Sequence, residues 1–212
     1  MDDAVTPPPW PRRTWILSTP RSGSTLLADL LNAATGRNSS AFLKCPSRDV
    51  FGEHFHPRAF ATWEELLAFD PIVTKLHMHW LEERGGDIPS DTTLIRLHRR
   101  DRVGQTWSLI STGKIGFHHV RNEEQRRGFL AAEANVTTTR KEFFDHYSAI
   151  DRWERLIGLV ATGRPVCDVW YEDLIADRDG TLAKVMNFIG LSEDQWHVPT
   201  NGEIETIAIH EG

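Results

Sequence analysis

A hydroxyl-rich segment near the start of the chain has the residue types of an anion-binding loop. It contains one arginine, one glycine and three hydroxyl side chains, in the order Arg21-Ser22-Gly23-Ser24-Thr25. An apolar run precedes it and a leucine-rich run follows it, so the pattern predicts a strand, a tight turn and the start of a helix. Backbone N–H groups at a helix N-terminus attract anions, and Gly23 lets the backbone close around the ligand. The segment therefore predicts a site for a doubly charged, phosphate-like group.

A second group of polar residues follows the clearest strand pattern in the middle of the chain. The strand is predicted at about 92–98, and Asp101 is expected to cap the next helix or to pair with an arginine. An arginine at the end of a strand and a serine on the following helix can reach one phosphate from two sides. Arg99 and Ser108 stand at such positions. This segment therefore predicts a second anion site.

The first segment differs from the nucleotide P-loop G-x-x-x-x-G-K-[ST]. The sequence has Gly23-Ser24-Thr25 where that motif needs Gly-Lys-Ser/Thr, and the first glycine of the motif is missing. The lysine and a magnesium-binding aspartate are central to ordinary ATP chemistry. The sequence therefore disfavours an ATP-dependent reaction.

Both segments resemble motifs of sulfotransferases, which use 3′-phosphoadenosine 5′-phosphosulfate (PAPS), and most closely those of the bacterial trehalose 2-sulfotransferase family. Residues 19–27 look like the 5′-phosphosulfate loop, and residues 98–109 look like the 3′-phosphate motif. The resemblance covers about residues 14–191. Its further matches are Glu53-His54-Phe55, Val73-Thr74-Lys75-Leu76 and Trp170-Tyr171-Glu172-Asp173-Leu174 with the helix that follows.

The resemblance implies an enzyme that moves the sulfuryl group from PAPS to a hydroxyl of a carbohydrate, a glycolipid or a similar small molecule. The product nucleotide is adenosine 3′,5′-bisphosphate (PAP), and no metal is required. Glu53 is the implied general base, a role that His54 or His56 could share, while Arg21 and Lys75 are implied to hold charge on the transferring group. The implied cofactor-binding residues are Arg21, Ser22, Gly23, Ser24, Thr25, Arg99 and Ser108.

Two alternatives to a sulfotransferase stay open from the sequence. The first is a kinase-like phosphotransferase with an atypical loop. The second is a degenerate, non-catalytic nucleotide-binding protein, which is favoured by the acidic Glu203-Ile204-Glu205 where the family usually has a basic segment. Two His-x-His pairs, at 54–56 and 77–79, raise a zinc site, but no Cys or Asp completes a recognisable ligand set.

Composition and charge bound the class of protein. The 212 residues carry a formal net charge of −6, which argues against nucleic acid as a partner. Cys45 and Cys167 suggest no disulfide framework, the acidic, proline-rich start is no signal peptide, and no apolar stretch approaches the ~20 residues of a membrane span. We therefore expect a cytoplasmic protein, with a flexible arm at 1–12 and a single sulfotransferase domain at 13–212. A homodimer is a further candidate state.

Strand and helix patterns alternate along the chain, which predicts an α/β fold with a P-loop-like parallel sheet flanked by helices. Strands are predicted at about 14–19, 72–76, 92–98 and 166–171. Helices are predicted at about 24–34, 62–69, 77–84, 101–111, 138–160 and 178–189. The apolar stripe of the longest helix is expected to lie in the core, and mobile segments near 36–60 and 112–137 are expected to cover the acceptor.

Overall fold

The computed structural model describes residues 14–35, 42–43, 59–60, 65, 73–84, 87–116 and 122–200. Strands and helices alternate within these residues. The strands are β1 (Thr14–Ser18), β2 (Phe42–Leu43), β3 (Ala59–Phe60), β4 (Val73–His77), β5 (Thr93–His98) and β6 (Val166–Trp170). The helices are α1 (Ser24–Thr35), α2 (Met78–Arg84), α3 (Arg102–Ile115), α4 (Glu123–Glu133), α5 (Arg140–Ala161), α6 (Tyr171–Ala176) and α7 (Arg178–Ile189), with a 3₁₀ turn at Glu193–Gln195.

The main sheet has 4 strands in the order β4-β1-β5-β6, and every neighbouring pair is parallel. The chain passes from β1 to β4 on one side and then to β5 on the other side, so the strand order reverses at β1. Ligands of open α/β sheets bind at such a reversal, outside the carboxyl ends of the strands. Ser18, His77 and Leu97 lie level with one another at that edge. The loop after β1 therefore occupies the expected ligand position.

The two faces of the sheet pack into separate hydrophobic clusters because strand side chains alternate. Ile16 of β1 faces the cluster that contains the leucines of α1 and the apolar residues of α7. Trp15 and Leu17 face the opposite cluster, which includes Met78 of α2 and Ile157 of α5. The sheet is thus covered by helices on both faces, and the predicted α/β class with a parallel sheet is confirmed.

Helices occupy most of the segment at 112–137, where the sequence predicts no helix or strand beyond about residue 111. α3 runs to Ile115 and α4 covers Glu123–Glu133. The sequence of α4 shows little apolar periodicity, and Phe129 is its buried apolar residue. Local polar signals specify this helix instead: Asn122 accepts a hydrogen bond from the N–H of Gln125, and two glutamates occupy the first turn. In the described part of 36–60 the structure has β2 and β3, which form a parallel pair.

The predicted core stripe of the longest helix is buried only in part. Ile150 and Ile157 are fully buried, whereas Phe144 is 51% exposed. At about 1.5 Å per residue the 22-residue α5 is roughly twice as long as the 5-residue β1, which rises about 3.3 Å per residue. Its N-terminal half therefore extends past the sheet that the other half covers. Among the described helices, none has the length and apolarity to cross a membrane.

Candidate functional site

The loop after β1 contains two residues with positive φ angles. Arg21 has a φ of 63° and Gly23 a φ of 89°, so both lie on the side of the Ramachandran map that L-residues rarely enter. Gly23 also packs against the ring of Tyr171, and an added Cβ would stand 2.4 Å from Tyr171 Cδ2. A glycine is therefore required at this position both for its backbone angle and for space.

Polar side chains hold the loop from within. Ser22 is fully buried, and its Oγ donates to the carbonyl oxygen of Thr19 at 2.8 Å. Nε2 of Gln105, from α3, donates to Thr19 Oγ1 at 2.7 Å and to the carbonyl oxygen of Pro20 at 2.8 Å. The first α-helical bond of the segment runs from the N–H of Leu27 to the carbonyl of Gly23. The amides before Leu27 therefore lie at the open N-terminus of α1, where an anion binds best.

Three of the predicted cofactor-binding residues meet beside this loop. Nε of Arg21 donates to Ser108 Oγ at 3.0 Å, and Nη1 of Arg99 donates to the carbonyl oxygen of Arg21 at 3.2 Å. Burial, together with the nearby charge of Arg99, lowers the pKa of Arg21 to about 10, so it stays charged at neutral pH. The structure thus brings two guanidinium groups and a hydroxyl to one place.

Arg99 is largely buried without a close carboxylate partner among the described residues. Its side chain is 11% exposed, and Asp101 approaches no closer than 3.9 Å. The guanidinium lies over the ring of Tyr171, 4.8 Å from the centroid. Its Nε is buried and has no hydrogen-bond partner among the described residues. Because a buried donor without an acceptor costs free energy, this nitrogen marks a position where an anionic acceptor fits.

Lys75 lies at the other end of the loop, against the start of α1. It is 4% exposed, and its Nζ donates to Thr25 Oγ1 at 3.0 Å. Burial lowers the pKa of Lys75 to about 8, an effect that Arg21 reinforces and Asp29 opposes. Lys75 and Thr25 thus form a second cationic position, separate from the group of Arg21, Arg99 and Ser108.

Arg100, the neighbour of Arg99, belongs to the protein surface. Its two terminal nitrogens donate to Asp173 at 2.6 and 3.0 Å, and its guanidinium covers the ring of Trp170. Asp101 accepts from the N–H of Gly104 at 2.8 Å. It therefore caps α3, as the sequence predicts, and approaches Arg99 more distantly.

The predicted base cannot be placed, because Glu53, His54 and His56 lie outside the described residues. The other histidine pair is described: His77 and His79 stack with ring centroids 5.6 Å apart. In the described ranges no group of three or more His, Cys, Asp or Glu could hold a metal ion. His77 ends β4 and lies 3.0 Å from Ser18 Oγ through its Nδ1, so an imidazole stands at the ligand-binding edge of the sheet.

Sequence reasoning missed the polar groups of α3, α5, β5 and β6 that support the loop. Gln105 could have been found, because it precedes Ser108 by three positions on α3 and so shares its face. His98, Glu154 and Asp168 come from three distant elements, yet His98 bridges the two carboxylates at 2.9 and 3.1 Å. No local pattern in the sequence predicts that contact.

Comparisons with known proteins identify the fold. No protein-family model and no curated protein matches the chain. Among solved structures, retinol dehydratase in a complex with retinol and PAP has a TM-score of 0.51 at 14% identity, over 97% of this chain and 76% of that chain. A sulfotransferase from Alicyclobacillus acidocaldarius has a TM-score of 0.49 at 12% identity, over 92% of this chain and 85% of the other. The sulfotransferase domain of the Synechococcus PCC 7002 olefin synthase has a TM-score of 0.47 at 16% identity, over 91% and 77%. At these identities the likeness to retinol dehydratase shows a shared fold.

Proposed function

We propose that this chain is a PAPS-dependent sulfotransferase that transfers the sulfuryl group to a hydroxyl of a carbohydrate, a glycolipid or a similar small molecule. One observation carries the proposal: Arg21 bonds to Ser108 and accepts from Arg99, so two residues predicted to clamp a 3′-phosphate meet at the loop predicted to hold a 5′-phosphosulfate. The complex of retinol dehydratase with PAP, in the same fold, supports the choice of nucleotide.

The donor set of the site fits a nucleotide with two anionic groups. The 3′-phosphate would take the guanidinium of Arg99, including its buried Nε, together with Ser108. Arginine is the side chain best suited to a phosphate, since it presents several donors in one plane. The 5′ group would take Lys75 and the amides at the start of α1. Arg21 lies between the two positions and contributes charge to both.

PAPS supplies the sulfuryl group, which passes to the acceptor oxygen while the phosphate oxygen keeps the electron pair of the broken S–O bond. The task of the protein is to hold the reactants in line and to stabilise the charge that develops. Lys75 and the N-terminus of α1 hold negative charge on the 5′ side of the nucleotide. The buried position of Lys75 strengthens this effect, because surrounding water does not screen it.

A base must take the proton of the acceptor hydroxyl, and a positioned base typically contributes about 10²–10⁴-fold to the rate. Glu53 is our first candidate, on the resemblance to the trehalose 2-sulfotransferase family. His77 is the second candidate, because it ends β4 two residues after Lys75, and alternate residues of a strand share a face. The carbohydrate acceptor rests on the same resemblance.

Nucleotide binding tests the proposal. PAP should raise the melting temperature of the protein, whereas ATP with magnesium should not, because the loop lacks the lysine and the aspartate of a magnesium nucleotide site. Stabilisation by ATP–magnesium and not by PAP would favour the kinase-like alternative. Binding of PAP without sulfation of any hydroxyl, in a panel of sugars, glycolipids and phenols with radiolabelled PAPS, would favour a non-catalytic nucleotide-binding protein.

A further inference from the structure

A closed ring of hydrogen bonds joins α3 and α5 to the residue that begins the anion loop. Arg102 Nη1 donates to Gln105 Oε1 at 2.9 Å, and Gln105 Nε2 donates to Thr19 Oγ1 at 2.7 Å. Thr19 Oγ1 in turn donates to Glu154 Oε1 at 3.3 Å, and Arg102 Nη1 approaches the same oxygen at 3.4 Å. Thr19 is fully buried. Its hydroxyl therefore has one donor and one acceptor partner, both fixed by helices.

Glu154 is the anionic member of this ring, and a hydrogen bond with His98 orients its carboxylate. Its side chain is 13% exposed, and its second oxygen receives His98 Nδ1 at 2.9 Å. The other ring nitrogen of His98 lies 3.1 Å from Asp168, which also holds Arg96 through two bonds of 2.7 and 2.8 Å. Burial alone would raise the pKa of Glu154, but His98 and Arg102 outweigh it and lower the pKa. Glu154 is therefore a charged, fixed acceptor at neutral pH.

The loop needs such a support because its conformation is costly. A non-glycine residue on the left-handed side of the map costs about 1–2 kcal/mol, and Arg21 has a φ of 63°. Strain of this kind persists only where the surroundings over-determine the backbone. Thr19 and Pro20 directly precede the strained residue Arg21, and both accept hydrogen bonds from Gln105.

We propose that Glu154 is a positioning residue of the anion loop, which acts through the Thr19 hydroxyl and touches neither the nucleotide nor the acceptor. The inference rests on the proposed function, in that the anion held by the loop is taken to be PAP. Glu154 and Gln105 fix Thr19 and Pro20, which precede Arg21 in the chain, and Arg21 in turn donates to Ser108.

Two measurements on Glu154→Gln test the inference. The first is hydrogen–deuterium exchange of the peptide that covers residues 19–25 in the free protein, and the second is PAP affinity by calorimetry. We expect faster exchange of the loop amides, and PAP binding weaker by roughly tenfold, as for the loss of one hydrogen bond to a charged group. Glu82→Gln is the matched control, because Glu82 also accepts from α5, through Trp153 Nε1 and Arg152 Nη2. Both values should stay at those of the wild type in this control.

Thr19 provides the second pair of variants. Thr19→Val removes the hydroxyl, and with it the acceptor of Gln105 Nε2, so its effects should be at least as large as those of Glu154→Gln, whereas Thr19→Ser should restore most of the PAP affinity. The double variant with Glu154→Gln and Thr19→Val should lose no more than Thr19→Val alone, because the hydroxyl through which Glu154 acts is already absent. Loop exchange in Glu154→Gln equal to that of the wild type would overturn the inference.

The design separates this inference from the proposed function. A wild type that does not bind PAP would defeat the proposed function, and loop exchange would still decide the role of Glu154. If Glu154→Gln does not fold, the Thr19 pair decides, and equal loop exchange in Thr19→Val and Thr19→Ser would refute the inference.

Discussion

Replacement of Arg99 by alanine separates the two anion positions of the site. A hydrogen bond to a charged group contributes about 1.5–3 kcal/mol, so loss of the contact to a 3′-phosphate should weaken PAP binding by roughly 10- to 100-fold. Adenosine 5′-monophosphate lacks that phosphate, and its affinity should change by less than about threefold. The fold should tolerate the substitution. The substitution removes the bond from Arg99 Nη1 to the carbonyl oxygen of Arg21 and the stacking on Tyr171, which contributes about 0.5–2 kcal/mol. It also removes the repulsion with Arg21 and a buried donor without a partner, which offsets that loss.

Titration calorimetry with the two nucleotides measures the effect, and Arg100→Ala is the matched control. Arg100 is the next residue and carries the same charge, but it pairs with Asp173 on the surface. Its replacement should leave both affinities within about threefold of the wild type, since an exposed ion pair contributes little to any other site. Equal weakening of PAP by the two variants would refute the clamp. An equal loss of PAP and of adenosine 5′-monophosphate in Arg99→Ala would do the same.

Three further predictions concern the loop and the base. The pKa of Lys75 is about 8, so this lysine is charged below that pH, and PAP affinity should fall as the pH rises through it; a titration of Lys75→Met should lack the step, and an unchanged step would contradict the assignment. Gly23→Ala should lose at least about 1–2 kcal/mol of unfolding free energy in urea from its backbone alone, and Tyr171→Ala should recover the part due to the clash; wild-type stability of Gly23→Ala would show that the close approach is absent. Glu53→Gln and His77→Gln should both bind PAP, and a loss of about 10²-fold or more in turnover in one of them identifies the replaced residue as the base. Full turnover in both variants would exclude both candidates.

The elements that sequence predicted well are those with strong local signals. The side chains of β1 and β5 are mostly buried and alternate between two helix layers. The N-cap of α3 at Asp101 and the end of α7 at Gly190 follow from their residue types. α4 was missed because its stability derives from an N-cap and from packing rather than from an apolar stripe. The exposure of Phe144 could not be predicted either, since it depends on how far α5 extends past the sheet.

In the candidate site, too, the sequence predicts the features that depend on local spacing and misses those that depend on long-range contacts. The loop at 21–25 and the pair of Arg99 and Ser108 are visible in the sequence, because each follows a predicted strand. The sequence could not show that Arg21 bonds to Ser108, which lies 87 positions away. The support from Glu154 is also long-range, since it reaches Thr19 across 135 positions. Local spacing therefore identifies candidate ligand-binding groups but not the side chains that hold them in place.

Buried cations give the candidate site a local positive charge within an acidic protein. The chain has a net charge of −6, yet Arg21 and Lys75 are buried cations, and burial lowers the pKa of each. Arg99 lowers the pKa of Arg21 further, and Arg21 lowers that of Lys75. Unfolded Lys75 binds its proton up to about its ordinary pKa of 10.5, whereas in the fold it releases the proton near 8. The unfolded state thus binds more protons between these values, and stability rises with pH across that window. At neutral pH the fold therefore carries a cost from its own cations. A bound anion would offset part of that cost, since it would add negative charge to that of Asp29 and Glu133, which already raise the pKa of Lys75 and of Arg21 respectively.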